Sequence, residues 1–275
     1  MSRTIVITGA SDGIGAAAAR QLHAAGQQVV VVGRDPDKTA RIADELGVDR
    51  FVADFAVLDE VRALAADLRA RYSRIDVLAN NAGGIIDRRR STVDGHELTF
   101  QVNHLAGFLL TLLLRDRLLD SGASVIQTSS VAARRFSRFD IDDLDAERRF
   151  SSSTAYGNAK LANILFTAEL QRRLGPSGLS AVAFHPGAIA SGFASAARGP
   201  WRWMYTNPLT RRLLTPVEVG GSRLTWLALG RPGADWRPGA YYAENRISRT
   251  HRLAADPQLA ARLWERSAAM VGVEP

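Results

Sequence analysis

Short β-branched, apolar runs alternate along this chain with longer alanine-rich segments of helical period. "TIVITG" (Thr4 to Gly9) predicts a strand, "GIGAAAARQLHAAG" a helix ending at Gly26, and "QVVVVG" (Gln28 to Gly33) a strand buried on both faces. "DRFVADF" then leads into the helical "VLDEVRALAADLRARY", and "RIDVLANNAG" into a helix around Leu98 to Leu119. "ASVIQTSS", "TAYGNAKLANILFTAELQRRLG" and "LSAVAFHPG" extend the series to six strands. This βαβ rhythm demands a parallel sheet with helices on both faces and right-handed crossovers. At 275 residues the chain is near the upper limit for one hydrophobic core, so a single doubly wound α/β domain over residues 1–275 is expected.

Two stretches break the rhythm. "VAARRFSRFDIDDLDAERRFSSS" (Val131 to Ser153) is polar and aperiodic, and reads as an inserted loop with one turn near Asp142 to Phe150. From Ser191 to Thr215, Trp201, Trp203, Met204 and Tyr205 cluster between Gly and Pro breakers; "PVEVGGSRLTWLALG" then resumes a helix with Pro216 in its first turn.

Composition removes several classes of function. The chain has no cysteine, which excludes disulfides, thiolate metal sites and a Cys nucleophile, and fits a reducing interior; the cytoplasm is the expected location. The apolar run before Gly9 is too short for a signal peptide, and no run of eighteen apolar residues occurs, so a soluble protein is expected. The net charge is +7, yet the arginines are dispersed among 28 acids, so nucleic acid is not an expected partner. No metal site is expected either. The five histidines lack ligand spacing, and Asp140, Asp142, Asp143 and Asp145 lack the glycine and terminal glutamate of a calcium loop. The three arginines of "DRRRS" (Asp87 to Ser91) read as a solvated edge, with contact to a phosphate or substrate carboxylate as the alternative.

The chemistry begins at "TGASDGIG", which follows the first strand and opens the first helix, the context that makes a glycine cluster a Rossmann phosphate turn. Gly9 permits the tight turn, Gly13 lets backbone approach a pyrophosphate and Gly15 lets helix and strand pack closely; Ser11, Asp12 and Ile14 complete the turn. The helix N-terminus adds unpaired N–H groups and positive potential. After the second strand, Arg34 stands where an acid would accept the ribose 2′-OH, which favours NADP(H); neighbouring Asp35 keeps NAD(H) possible, and Asp12 near a 2′-phosphate would weaken the preference. Asp54 would accept from the adenine amino group or cap the following helix.

Only two of the 35 cationic residues are lysines, Lys38 and Lys160. Lys160 follows Tyr156 by four residues, which places both on one helix face. A phenol of pKa about 10 is a poor acid-base catalyst near neutrality unless a cation stabilises its phenolate, and Lys160 supplies one. "TGASDGIG", "NNAG" (Asn80 to Gly83), "YGNAK" and "PGAIAS" (Pro186 to Ser191) occur in this order, and the chain resembles the short-chain dehydrogenase/reductase family over nearly its whole length. "VNHLAGFLLT", "FDIDDLDAERRFSSSTAYGNAKLANILFTAEL" and "LAARLWERSAAMVG" are similar to its retinol-dehydrogenase-like and protochlorophyllide-reductase-like branch.

That resemblance implies a set of roles. Tyr156 would exchange a proton with the substrate oxygen, and Lys160 would lower its pKa and hold the nicotinamide ribose. Ser130, with Ser129 as runner-up, would align the substrate oxygen. Asn103 would hold a water linking Lys160 to solvent. Asn81, Ala82 and Gly83 would lie against the adenosine side, and Pro186, Gly187, Ile189 and Ser191 beside the nicotinamide. The chain departs from the family pattern at Ser191, Ala106 and Gly107 and in the 26-residue separation of Ser130 from Tyr156, which requires the inserted segment to loop out. Segment 191–215 would cover a substrate pocket walled by Trp201, Trp203, Met204 and Tyr205. The expected function is hydride transfer between NADP(H) and a lipophilic carbonyl or alcohol such as a ketone, an aldehyde or a retinoid- or steroid-like compound. A non-catalytic redox sensor and a sugar-nucleotide epimerase or dehydratase are the alternatives. Contact of "RGPWRWMYTNPLTRR" with a membrane surface is a lesser one. Monomer and homodimer both remain open.

Overall fold

A computed structural model describes residues 2–189 and 214–274. Ser191, Trp201, Trp203, Met204 and Tyr205, and with them the expected pocket cover, lie outside the described residues. The first half alternates β1 (Thr4–Thr8), α1 (Gly13–Ala24), β2 (Gln28–Gly33), α2 (Pro36–Leu46), β3 (Arg50–Val52), α3 (Leu58–Arg71) and β4 (Val77–Asn80). After a long loop come α4 (Leu98–Phe100), a π turn (Gln101–Leu105), α5 (Ala106–Leu113), α6 (Arg115–Asp120) and β5 (Ser124–Thr128). The remainder is α7 (Ala132–Arg135), α8 (Ser152–Leu174), β6 (Ser180–His185), α9 (Val217–Leu229), β7 (Tyr241–Ala243), β8 (Arg246–Ile247) and α10 (Pro257–Val271).

The strands form one sheet in the order β3-β2-β1-β4-β5-β6-β7-β8, parallel throughout except for the terminal β7–β8 pair. Its side chains divide by the two-residue strand period. Val6, Val30 and Val32 enter the core shared with α3, α5, α8 and α10, whereas Ile5, Ile7, Val29 and Val31 enter the core shared with α1 and α9. Strand order reverses between β1 and β4, the switch point at whose strand carboxyl ends a doubly wound sheet places its ligand crevice.

Three local expectations are corrected. The single helix around Leu98 to Leu119 is broken into α4, the π turn, α5 and α6, with Leu114 leaving helical geometry at φ −94°, ψ 1°; an uninterrupted apolar pattern cannot mark such breaks. The sheet has eight strands rather than six, because β7 and β8 are only three and two residues long. Pro216 is the N-cap of α9 rather than a residue of its first turn. The inserted segment also opens with a short helix, α7, and the turns around Asp142 are closed by acids: Asp140 accepts from Asp142 N at 2.9 Å and Asp143 from Glu147 N at 2.8 Å. Among the described residues, no helix is long and apolar enough to cross a membrane.

Candidate active site

The crevice floor is built by the turn after β1. Gly9 turns the chain at φ 65°, Asp12 caps α1 by accepting from Gly13 N at 2.7 Å, and a Cβ on Gly15 would fall 2.3 Å from Gly9 O. Asn81 binds the strand ends together. Its Nδ2 donates to Thr8 O (3.0 Å) and Gly9 O (3.3 Å), while Oδ1 accepts from Thr128 Oγ1 at 3.2 Å. Ala82 N and Asn81 N each donate to Thr8 Oγ1 at 3.0 Å.

At the adenosine end Arg34 is exposed. The Asp35 carboxylate is turned onto α2, where it caps Lys38 N at 3.0 Å. The second oxygen of Asp12 lies 3.5 Å from Lys38 Nζ, so the acid in the phosphate turn carries its own counter-charge. Asp54 closes the turn before α3 by accepting from Ala56 N at 3.0 Å, and the first N–H of α3, on Leu58, is capped instead by Asp94 at 3.0 Å.

Tyr156 and Lys160 are both buried on α8, with Lys160 Nζ 5.5 Å from the Tyr156 ring centroid. The ammonium donates to Thr128 O at 3.0 Å, and burial lowers its pKa from 10.5 to about 7. Gly83 explains the close approach of the loop after β4: a Cβ there would fall 2.4 Å from Asn103 Oδ1 and 3.1 Å from Lys160 Nζ. Asn103 sits inside the π turn. Its Nδ2 donates to Thr99 O (2.8 Å) and Gly84 O (2.9 Å), and Oδ1 accepts from Gly84 N at 3.1 Å. Asn103 thereby holds the Gly83–Gly84 loop against Lys160.

The two candidate serines separate cleanly. Ser129 is buried and its hydroxyl donates to Lys160 O at 2.7 Å, which commits it to anchoring α8. Ser130 is part-exposed, and its oxygen accepts from Ala132 N at 3.1 Å, which leaves its hydroxyl hydrogen for another acceptor. The inserted segment is clipped down just beyond Tyr156: Asn158 Oδ1 accepts from Ser137 Oγ and Arg138 N, both at 2.9 Å. On the far side, Arg223 Nη1 donates to Pro186 O at 2.8 Å and Thr215 N to Ala188 O at 2.7 Å. Ile189 is buried, and both it and Ile14 of the phosphate turn pack against Gly220 of α9.

The structure therefore brings Gly83, Asn103, Ser130, Tyr156 and Lys160 to one end of the sheet beside the glycine turn. A glycine-lined cradle that a Cβ would fill, a helix N-terminus and a buried ammonium together fit a dinucleotide with a ribose at the lysine. Sequence reasoning missed Arg223, Asn163 and His104. Asn163 lies three residues after Lys160, the same helix-face relation that singled out Tyr156, and that spacing was the available signal.

A model of the short chain dehydrogenase family matches residues 3–200. DnrU of Streptomyces sp. (strain C5), named as a daunorubicin C-13 ketoreductase, is 45% identical over 98% of this chain and 93% of its own. Human retinol dehydrogenase 13 is 34% identical over 99% of this chain and 85% of its own. The crystal structure of a Mycobacterium paratuberculosis protein, 33% identical, matches with a TM-score of 0.80 over 99% of this chain and 94% of its own. The chain belongs to the short-chain dehydrogenase family, as an NAD(P)-dependent oxidoreductase whose relatives include ketoreductases and retinol dehydrogenases.

Proposed function

We propose that the protein interconverts a lipophilic ketone or aldehyde and its alcohol, uses NADP(H), and moves the proton through Tyr156. The observation that carries this reading is the buried Lys160 ammonium, held at Thr128 O, 5.5 Å from the Tyr156 ring centroid. When bound, the nicotinamide supplies or accepts the hydride. In the reductive direction Tyr156 gives its hydroxyl proton to the substrate oxygen, and Lys160 stabilises the phenolate that remains; in the oxidative direction the same phenolate takes the alcohol proton. Ser130 donates to the substrate oxygen and fixes the carbonyl for attack. Asn103 holds the Gly83–Gly84 loop, and Lys160 in addition meets the ribose.

The glycine turn, with Ser11, Asp12, Gly13, Ile14 and Gly15 at the start of α1, would take the pyrophosphate, and Asp54, Asn81 and Ala82 the adenosine side. Pro186, Gly187 and Ile189 would flank the nicotinamide. Exposed Arg34 favours the 2′-phosphate, because Asp35 is occupied as a helix cap and Lys38 offsets the charge of Asp12. The names of the relatives, which refer to daunorubicin and retinol, support a lipophilic substrate; Trp201, Trp203, Met204 and Tyr205, expected from the sequence to wall its pocket, lie outside the described residues.

NADPH and NADH oxidation against a panel of ketones, aldehydes and quinones tests the reading. NADPH should be the better cofactor, and Arg34→Glu should lower its kcat/KM about tenfold to a hundredfold through loss of a charged hydrogen bond. Tyr156→Phe should abolish turnover while cofactor still binds; retained turnover in that variant overturns the mechanism.

A further inference from the structure

We propose that Asn163 and His104 are positioning residues for the reaction: Asn163 holds the carbonyls of Thr128 and Asn103 that set the places of Lys160 and of the Asn103 turn, and His104 holds the Asn163 amide. The inference rests on the reading of Tyr156, Lys160 and Asn103 as catalytic machinery.

Asn163 lies on α8 one turn beyond Lys160. Its Nδ2 is 3.0 Å from Asn103 O and 3.2 Å from Thr128 O, and Thr128 O also accepts from Lys160 Nζ at 3.0 Å. Both contacts of that nitrogen are carbonyl oxygens, which only accept, so the amide has one possible orientation and both its hydrogens are used. Oδ1 must therefore accept, and the atom facing it, His104 Nδ1 at 3.1 Å, must carry the ring hydrogen. Burial pushes His104 down to about 4, so the ring is neutral and its bare Nε2 accepts from Ser267 Oγ of α10 at 3.0 Å. Asn163, His104 and Ser267 are 2%, 1% and 0% exposed, so every polar atom in this chain of bonds depends on its neighbour.

The π turn shows what the network positions. Ala106 N bonds Gln101 O, one residue wider than an α-helical step, and Asn103 lies within the widened turn with its carbonyl taken by a side chain from another helix. A one-residue slip back to α-helical register would rotate the Asn103 side chain by about 100° and detach it from Gly84. Loss of the Thr128 contact would free the carbonyl that anchors Lys160 Nζ. The network does not pass protons, because Thr128 O and the Asn163 amide stand between Lys160 and His104 without an exchangeable proton to hand on. Its role is geometric.

The test uses Asn163→Leu, which removes both donors at similar volume, with His104→Gln, which keeps a donor for Asn163 Oδ1, and His104→Phe, which does not. With NADPH and a reducible ketone, Asn163→Leu and His104→Phe should lose about tenfold to a hundredfold in kcat, the scale of an ångström-level misplacement, while the NADPH Kd read by fluorescence changes by less than about threefold. His104→Gln should recover most of the kcat lost in His104→Phe. Wild-type kcat in Asn163→Leu, or equal damage from the two His104 variants, overturns the proposal. If Asn163→Leu does not fold, the His104 pair decides. Tyr156→Phe is assayed alongside: turnover in that variant defeats the reading of the site, whereas an inactive Tyr156→Phe beside a fully active Asn163→Leu defeats this inference alone.

Discussion

Replacing Lys160 with Met removes a buried titrating ammonium, and with it a pH dependence of stability that the wild type carries. The folded-state pKa is about 7 against an ordinary 10.5, so between those values the unfolded chain binds more protons than the native one, and native stability rises with pH. The cost of keeping the side chain inside is complete below about pH 7 and fades as pH approaches 10.5. One pH unit inside this window is worth about 1.4 kcal/mol; allowing for half-titration at the lower end, the wild type should gain about 2 kcal/mol between pH 7 and pH 9 from this group. Methionine has similar length and no proton to lose. It also gives up the bond to Thr128 O, a pH-independent loss of about 1 kcal/mol. Urea unfolding of both proteins without cofactor, at pH 7, 8 and 9, isolates the effect, because the other titrating groups cancel in the difference. Lys160→Met should be about 2 kcal/mol better placed relative to wild type at pH 7 than at pH 9. A difference constant to within about 0.5 kcal/mol across that range refutes a lysine titrating near neutrality in the fold.

The remaining variants probe the packing around the same residues. Gly157→Ala puts a Cβ 2.8 Å from Ser137 N and 2.9 Å from Phe136 C, both backbone atoms of the inserted segment; unfolding should show a loss of about 1–3 kcal/mol, and turnover should fall as the segment beside Tyr156 shifts. Ser130→Ala should lower kcat about tenfold to a hundredfold while the loss of its part-exposed bond to Ala132 N costs well under about 1 kcal/mol, whereas Ser129→Ala, which breaks the buried bond to Lys160 O, should cost about 1 kcal/mol or more of stability; a reversed pattern would exchange the roles of the two serines.

The legible parts of this fold were those in which one residue pattern had one physical solution. The run from Val29 to Val32 is buried on both sides of the sheet, and the glycines after β1 occupy a turn too tight for a side chain at Gly15. Tyr156 and Lys160 were legible because helix spacing alone brings them together. Ser130 was preferred to Ser129 only through the family resemblance; the different contacts of the two hydroxyls could not be read from the sequence, because the bond of Ser129 to Lys160 O is made across 31 residues. The break at Leu114 leaves no mark in a run of leucines, and β7 and β8 are too short to show a period. His104 looked isolated because its partners, Asn163 and Ser267, lie 59 and 163 residues away. Asp12 looked like an unpaired acid in the sequence because its contact with Lys38 is made across 26 residues.

The presence of a lysine at position 160, in a chain that otherwise uses arginine almost throughout, then has a structural cause. Arginine serves wherever a solvated cation is wanted, and 33 of the 35 cationic residues are arginine. At position 160 a guanidinium would bring five N–H donors into a buried place where, among the described residues, the lysine ammonium donates to one carbonyl, Thr128 O. Each donor left unpaired costs about 1–3 kcal/mol. A guanidinium also keeps its proton at every accessible pH, so it cannot follow the change of charge on Tyr156 as an ammonium titrating near 7 can. Lys160→Arg should therefore lose at least about a hundredfold in kcat although charge is conserved, the scale on which positioned acid-base groups contribute. The loss should not recover at any pH between 6 and 9, the range in which the lysine titrates. Turnover within a few-fold of wild type would show that position 160 requires only a positive charge, and the geometric account of this lysine would fall.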